Sequence, residues 1–167
     1  MDCLEALVSR CSAQPQSIKY HIFDIIIVQV YNTETGEWDL WRDLIANIWG
    51  HSCTRVGDKV VIAGGVNIAF TIIATTTILD LNTRREQTVG NLHGARAWFG
   101  MATIDNKVLA FGGMSPLYRN SVRDQYNDIQ ELDMESGEWT VTDNNLATTL
   151  GISSFATAVV YTEDVCK

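Results

Sequence analysis

The chain has 167 residues, 46% of them hydrophobic, and a net charge of −8 at pH 7. This length and hydrophobic content predict a folded domain with a sizeable core and argue against disorder. The acidic balance argues against nucleic acid as a partner, because affinity for phosphates depends on clustered Lys and Arg.

The N-terminal segment, residues 1–24, predicts at most a short helix over residues 2–11. Its acidic start and short apolar patch do not fit a signal peptide. The uncharged stretch from Gly64 to Leu79 is too rich in Thr and Gly to span a bilayer. The four cysteines (positions 3, 11, 53 and 166) lack Cys-x-x-Cys spacing. We therefore expect free thiols in a soluble, cytoplasmic protein that does not contact a membrane, with Cys53 as a small buried residue of a strand.

Two segments align at a shift of 48 residues, namely VGDKVVIAGG (56–65) and IDNKVLAFGG (104–113). A second element recurs at spacings of 48 and 53 residues, as VYNTETGEW (30–38), ILDLNTRRE (78–86) and ELDMESGEW (131–139). The extra length in the second interval fits a longer loop after Gly113. Repeats of this length are typical of propeller blades.

Each repeat predicts four short antiparallel strands. Gly57–Asp58 and Asp105–Asn106 mark the tight turns between strands one and two, and Gly36 and Gly137 supply the left-handed residue between strands three and four. Strand two is an apolar run, typical of a strand covered on both faces, and Gly-Gly ends it. The predicted strands are 52–56, 100–104 and 155–160 (first), 60–63 and 108–111 (second), 77–81 and 128–132 (third), and 38–41 and 139–142 (fourth).

These repeats resemble the Kelch family, whose blade has a double glycine after strand two, a Tyr or Leu in strand three and a Trp opening strand four. The middle repeat departs from this pattern, with Arg84 at the turn glycine and Glu86 at the Trp, so we expect a loosely packed outer strand there. The matching residues are Gly64, Gly65, Gly112, Gly113, Tyr31, Trp38 and Trp139, with Leu79 and Leu132 in the third strands.

The resemblance covers residues 25–167 and implies an all-β fold of Kelch-type β-propeller blades. A closed propeller needs about four to eight blades. The chain supplies fewer, so we interpret it as an incomplete propeller, either an excerpt of a longer protein, which the sequence favours, or a truncated relative. The predicted parts are a blade end (25–43), two whole blades (44–91 and 92–144) and the start of another blade (145–167).

The Kelch resemblance implies a protein-binding module rather than an enzyme. Many Kelch proteins join the propeller to a BTB domain and recruit substrates to a cullin-RING ubiquitin ligase. Actin binding in a cytoskeletal scaffold is an alternative. A galactose-oxidase-like copper enzyme is another, but we cannot place its Tyr, Cys and His ligands here. His21, His51 and His93 show no metal-ligand spacing, so no metal or cofactor is expected.

Antiparallel strands place the loops after strands two and four on one side of the propeller. There the longest loop, 114–127, combines Arg with Tyr, two residue types enriched at binding hot spots, although a solvated variable loop is the alternative. Such a cluster suits an acidic peptide. We expect Trp38 and Trp139, at repeated strand positions, to pack between blades. The predicted partner-binding residues are Arg96, Trp98, Tyr118, Arg119, Arg123 and Tyr126.

Overall fold

The computed structural model describes residues 27–32, 35–43, 48–114 and 125–147. Every regular element of these residues is a β-strand, and no helix among them could cross a membrane. The predicted helix over residues 2–11 and the predicted strand 155–160 lie outside the described residues. The strands are β1 (Ile27–Asn32), β2 (Glu37–Asp43), β3 (Ile48–Trp49), β4 (Ser52–Val56), β5 (Lys59–Ala63), β6 (Val66–Asn67), β7 (Thr76–Asp80), β8 (Glu86–Val89), β9 (Gly100–Ile104), β10 (Lys107–Phe111), β11 (Asp128–Leu132) and β12 (Trp139–Asn145).

Two four-stranded antiparallel sheets form the main body of the structure. The first blade has the strand order β4-β5-β7-β8, and the second blade has the order β9-β10-β11-β12. β1 and β2 form a separate antiparallel pair, and β3 pairs with β6 beside the first blade's loops. The prediction of an all-β fold made of four-stranded blades is therefore confirmed.

The turns follow the chemistry that the sequence predicts. Asp105 and Asn106 have φ values of 49° and 63°, the left-handed pair that a two-residue hairpin requires. Gly36 and Gly137, with φ values of 71° and 75°, are the left-handed residues of the turns that precede β2 and β12. In the middle repeat Arg84 adopts the same conformation, with φ 57°, although it carries a side chain. The turn geometry of the blade is thus kept where its glycine is absent.

An aspartate at the end of strand three fixes the turn into strand four. The Asp80 carboxylate accepts hydrogen bonds from the backbone N–H groups of Asn82 and Thr83 and from the Thr83 hydroxyl. The Asp133 carboxylate accepts bonds from the N–H groups of Glu135 and Ser136. These backbone bonds, led by those from Thr83 and Ser136, lower the pKa of both carboxyl groups.

The hydrophobic core lies between the two blades. Trp139 is 2% exposed, and its indole Nε1–H donates to the hydroxyl of Thr76 on the first blade at 2.9 Å. The hydroxyls of Thr54 and Thr103 meet at 3.1 Å where β4 and β9 lie side by side. The buried apolar side chains of this core are Val61, Ala63, Ile78, Leu92, Phe99, Met101, Val108, Ala110, Leu132 and Trp139.

The two central strands differ in how they are covered. β5 is buried on both faces, with Val60 and Ile62 in a second cluster that Cys53 packs against. Cys53 itself is half-buried. In β10 only Val108 and Ala110 are buried. The prediction that this strand is covered on both faces is therefore wrong for the described residues, since they place a sheet against one of its faces only.

The outer strand of the first blade, β8, is half-buried or exposed along its length. Glu86 stands where the second blade has Trp139, which is buried in the core. A carboxylate cannot replace that apolar contact, because burying its charge is costly. The expectation of a loosely packed outer strand in the middle repeat agrees with this exposure.

Candidate partner-binding face

The loops that follow strands two and four converge on one side of the two blades. The Gly65 N–H donates to the carbonyl of Arg96 at 2.8 Å, and Ala97 and Met114 exchange backbone hydrogen bonds at 3.2 and 2.8 Å. Each loop therefore contacts the next one through its backbone. We call this side the loop face; its described residues are 48–51, 64–75, 90–99, 112–114 and 125–127.

The double glycines turn the chain from strand two into the loop face. Their φ values are 63° and 98° at Gly64 and Gly65, and 60° and 102° at Gly112 and Gly113. A Cβ at Gly64 would lie 2.4 Å from the carbonyl oxygen of Arg96, and a Cβ at Gly113 would lie 2.7 Å from the Cβ of Phe99. Glycine is needed at both sites because the backbone is left-handed and the neighbouring chain is close.

Arg96 holds the loop face together from inside. Its side chain is 0% exposed and forms a two-pronged ion pair with Asp128, at 2.9 and 3.0 Å. The same guanidinium donates to the carbonyls of Gly112 at 3.0 Å and His93 at 2.9 Å. The prediction that Arg96 contacts a partner is therefore wrong, because all of its side chain is enclosed and its donors are used within the blade.

The Asp128 carboxylate completes this buried pair. Burial raises the pKa of Asp128, but the hydrogen bonds from Arg96 and Gln130, with the positive charge of Arg96, outweigh burial and leave the pKa below its usual value. Gln130 donates to Asp128 at 2.7 Å and to the carbonyl of His93 at 2.9 Å, and its own carbonyl accepts from the His93 N–H at 2.9 Å. The network joins the start of β11 to the linker between the blades.

Tyr126 and Trp98 line the loop face and are both half-buried. The Tyr126 ring lies 4.1 Å from the guanidinium carbon of Arg96, a cation–π contact, and its hydroxyl donates to the carbonyl of Ala95 at 3.5 Å. Trp98 adopts a φ of 52°, and its backbone N–H donates to the carbonyl of Gly50 at 2.7 Å. Its indole ring packs over the same glycine. Both residues keep an accessible part, so their contact with a partner stays a prediction.

The other three predicted partner-binding residues are Tyr118, Arg119 and Arg123. They lie outside the described residues, in the span 115–124 of the longest loop. This span leaves the second blade at Met114 and returns at Gln125, and these two residues form a backbone bridge. Both ends of the loop are therefore fixed on the loop face.

The two tryptophans at the repeated strand position have different environments. Trp139 is buried between the blades as predicted. Trp38 is 53% exposed, so its predicted packing between blades is wrong. Trp139 is covered by the first blade, and the described residues place no such sheet over Trp38. The backbone of Tyr31 pairs with that of Trp38 across β1 and β2, as the repeat predicts.

A tight hairpin of the first blade carries the most exposed large apolar residues of the loop face. Ile68 is 67% exposed and Phe70 is 76% exposed. Phe70 makes an edge-to-face contact with Trp49, with ring centroids 5.4 Å apart. The sequence predicts the loop after strand two on this face, but Ile68 and Phe70 were not among the predicted partner-binding residues. The sequence does carry a signal for an exposed turn here, because the apolar side chains lie next to Asn67, and asparagine is favoured in turns.

Two histidines, His51 and His93, fall within the described residues, and they lie in separate segments of the loop face. His51 is 5% exposed, whereas His93 is exposed and its Nε2 lies 2.6 Å from the carbonyl of Trp139. Over the described ranges no three His, Cys, Asp or Glu side chains are grouped as ligands for a metal ion.

Comparison with known proteins agrees with this geometry. The solved structure of YjhT, a Kelch-type propeller protein, matches with a TM-score of 0.64 at 14% sequence identity. The match covers 78% of this chain and 41% of that chain, so the chain spans less than half the length of that propeller. No curated protein matches the chain. The sheets described above are therefore blades of a β-propeller.

The particular kind of blade follows from the sequence of the second one. Residues 95–144 match the family model of the Kelch motif. This span contains the Arg96–Asp128 pair, Gly112, Gly113 and Trp139. The resemblance to the Kelch family is thus confirmed, and the second blade is a Kelch repeat. Kelch repeats generally mediate contacts between proteins, which supports a protein-binding propeller module in general terms.

Proposed function

We propose that this chain binds another protein through the loop face. The observation that carries the proposal is the Kelch repeat over residues 95–144, whose longest loop leaves and re-enters the sheet on that face. The Arg96–Asp128 pair supports it, because a loop with fixed ends loses less conformational freedom on binding. The proposal is for binding without catalysis, and a stoichiometric copper content in the purified chain would contradict it.

The finer proposal is a role in substrate recognition for a cullin-RING ubiquitin ligase in the cytoplasm. It rests on the Kelch resemblance alone. A cullin recovered together with the bound protein would support it. Co-sedimentation of the purified chain with filamentous actin would instead favour a cytoskeletal role.

Arg119 and Arg123 remain the candidates for contact with an acidic segment of the partner, and Tyr118 and Tyr126 remain the candidates for supplying apolar contact area. Arg96 no longer belongs to this set, because its charge is already paired. Contacts of this kind weaken with salt, since exposed charges are screened over about 10 Å at 0.1 M. Binding that is unchanged between low and high salt would argue against this part of the proposal.

The experiment compares two matched substitutions in the full chain. Gln125→Glu adds a negative charge at an exposed position on the loop face, where it would repel an acidic segment, and Gln87→Glu makes the same change at an exposed position of β8, away from that face. Proteins captured from cell extract by the wild type are identified by mass spectrometry. We expect Gln125→Glu to lose them and Gln87→Glu to keep them. Equal retention by both variants would contradict the proposal.

A further inference from the structure

The hairpin at residues 66–72 is rigid at its tip. The Asn67 side-chain carbonyl accepts hydrogen bonds from the N–H groups of Ala69 and Thr71, both at 3.0 Å. The backbone of Asn67 also accepts from the Phe70 N–H and donates to the carbonyl of Thr71, both at 2.9 Å. Four hydrogen bonds to one residue thus fix the direction in which Ile68 and Phe70 point.

Phe70 occupies this tip at a cost to the fold. Its φ is 58°, a left-handed conformation that glycine and asparagine adopt readily and a bulky side chain does not. The residue is also 76% exposed, so the free molecule gains little stability from burying its side chain. A residue that is strained and solvated in the free protein is explained when the side chain is buried against something else.

The residues around the tip limit the chemical types of partner surface that could cover it. The sixteen residues from Gly64 to Leu79 carry no charged side chain, in a chain with a net charge of −8. The apolar surface consists of Ile68, the ring of Phe70 and the half-buried Trp49, whose edge-to-face pairing with Phe70 leaves aromatic surface to pack against. An ionic partner finds no counter-charge within this stretch.

We propose that the tip formed by Ile68 and Phe70, with Trp49 beside it, is a docking site for an uncharged, apolar segment of a partner protein. This inference deepens the proposed function and rests on it, because the tip is part of the loop face. It differs from the acidic segment expected at the 115–124 span in both location and chemistry. Burial of one aromatic ring is worth about tenfold or more in affinity.

The test uses random 12-residue peptides displayed on phage and selected against the full chain. Selected peptides are synthesised, and their dissociation constants are measured by fluorescence anisotropy. We expect apolar peptides rich in Leu, Ile, Phe and Trp, with the dissociation constant raised at least tenfold by Phe70→Asn. Gln87→Glu should leave the dissociation constant unchanged. Phe70→Tyr, which keeps both the ring and the left-handed strain, should bind within about threefold of the wild type.

Phe70→Asn also separates lost binding from lost folding. Asparagine tolerates the left-handed conformation, so this variant should melt at the same temperature as the wild type or higher. A variant that is at least as stable and yet binds at least tenfold more weakly supports the inference. A lower melting temperature in Phe70→Asn would overturn it, because the ring would then stabilise the fold itself.

Three further outcomes would overturn the inference. If peptides rich in Asp and Glu bind, and Gln125→Glu weakens their binding while Phe70→Asn does not, this docking site is wrong and the proposed loop-face function stands. If neither substitution weakens any selected peptide, both proposals fail. If light scattering shows wild-type self-association that Phe70→Asn abolishes, the tip binds a second copy of the chain instead.

Discussion

Replacing Arg96 by Met tests whether the buried arginine supports the fold or binds a partner. The substitution keeps an apolar side chain of similar length and removes the guanidinium. It leaves Asp128 without its counter-ion and the carbonyl of Gly112 without its side-chain donor. If Arg96 is structural, stability falls, whereas if it served only for partner contact, stability would hardly change.

The magnitude follows from the burial of the pair. Removing one partner of a buried ion pair costs about 3–5 kcal/mol. The Arg96 side chain is 0% exposed, but that of Asp128 is 18% exposed and keeps some contact with water. We therefore expect a loss at the lower end, about 3 kcal/mol. Arg96→Lys keeps the charge but not the planar fork and should lose about 1–2 kcal/mol.

The assay is urea unfolding of the full chain, followed by tryptophan fluorescence, to which the buried Trp139 contributes. Arg85→Met is the matched control, because Arg85 is exposed and its loss should change the free energy of unfolding by less than about 0.5 kcal/mol. A double-mutant cycle of Arg96→Met with Asp128→Asn should give a coupling energy of about 2–3 kcal/mol. An Arg96→Met variant as stable as Arg85→Met would refute the structural role.

Three further predictions concern pH, backbone space and the blade core. The lowered pKa of Asp128 means that its carboxylate stabilises the fold above the unfolded pKa of 3.8 and that this stabilisation is lost as the pH falls below that value. In urea titrations the free energy of unfolding of Asp128→Asn should therefore fall less steeply below about pH 4 than that of the wild type. An unchanged slope would contradict this. Gly64→Ala and Gly57→Ala both place a side chain on left-handed backbone, but a Cβ at Gly57 meets open space. Gly57→Ala should therefore cost about 1 kcal/mol and Gly64→Ala at least about 2 kcal/mol more in thermal melts, and equal costs would count against the close approach. Thr76→Val removes the acceptor of the buried Trp139 Nε1–H and should cost about 1–3 kcal/mol in urea unfolding, with a loss under about 0.5 kcal/mol arguing against that bond.

The strands could be predicted from sequence because their boundaries depend on local chemistry. β4 and β9 coincide with the predicted ranges 52–56 and 100–104, since Gly57 and Asp105–Asn106 mark the turns that follow them. Arg84 shows that the turn geometry of the repeat overrides the conformational preference of a single residue, because it adopts the left-handed conformation of the glycine within an otherwise intact turn. The alignment also places Asp80 and Asp133 at equivalent positions, a signal of their turn-capping role that we did not use.

Side-chain burial could not be predicted in the same way, because it depends on distant partners. Sequence spacing put Arg96 in a loop-face segment, but Asp128, which draws its side chain inward, is 32 residues further along the chain. Trp38 and Trp139 share a repeat position, and only the neighbouring sheet decides which one is covered. The exposure of Phe70 depends on the four hydrogen bonds to Asn67, which no periodicity reveals.

The linker between the blades has a consequence for synthesis of the protein. By sequence, Leu92 and Arg96 belong to the second repeat, yet their N–H groups donate to the first blade at Ala74 and Ile73, and Gly65 donates back to Arg96. All four strands of the first blade have left the ribosome once Val89 has emerged. The Gly65 N–H of the double glycine still lacks its hydrogen-bond acceptor, the carbonyl of Arg96, until that residue has also emerged. The first blade is therefore completed by residues translated after it, so a nascent chain paused between the repeats should hold an unfinished blade.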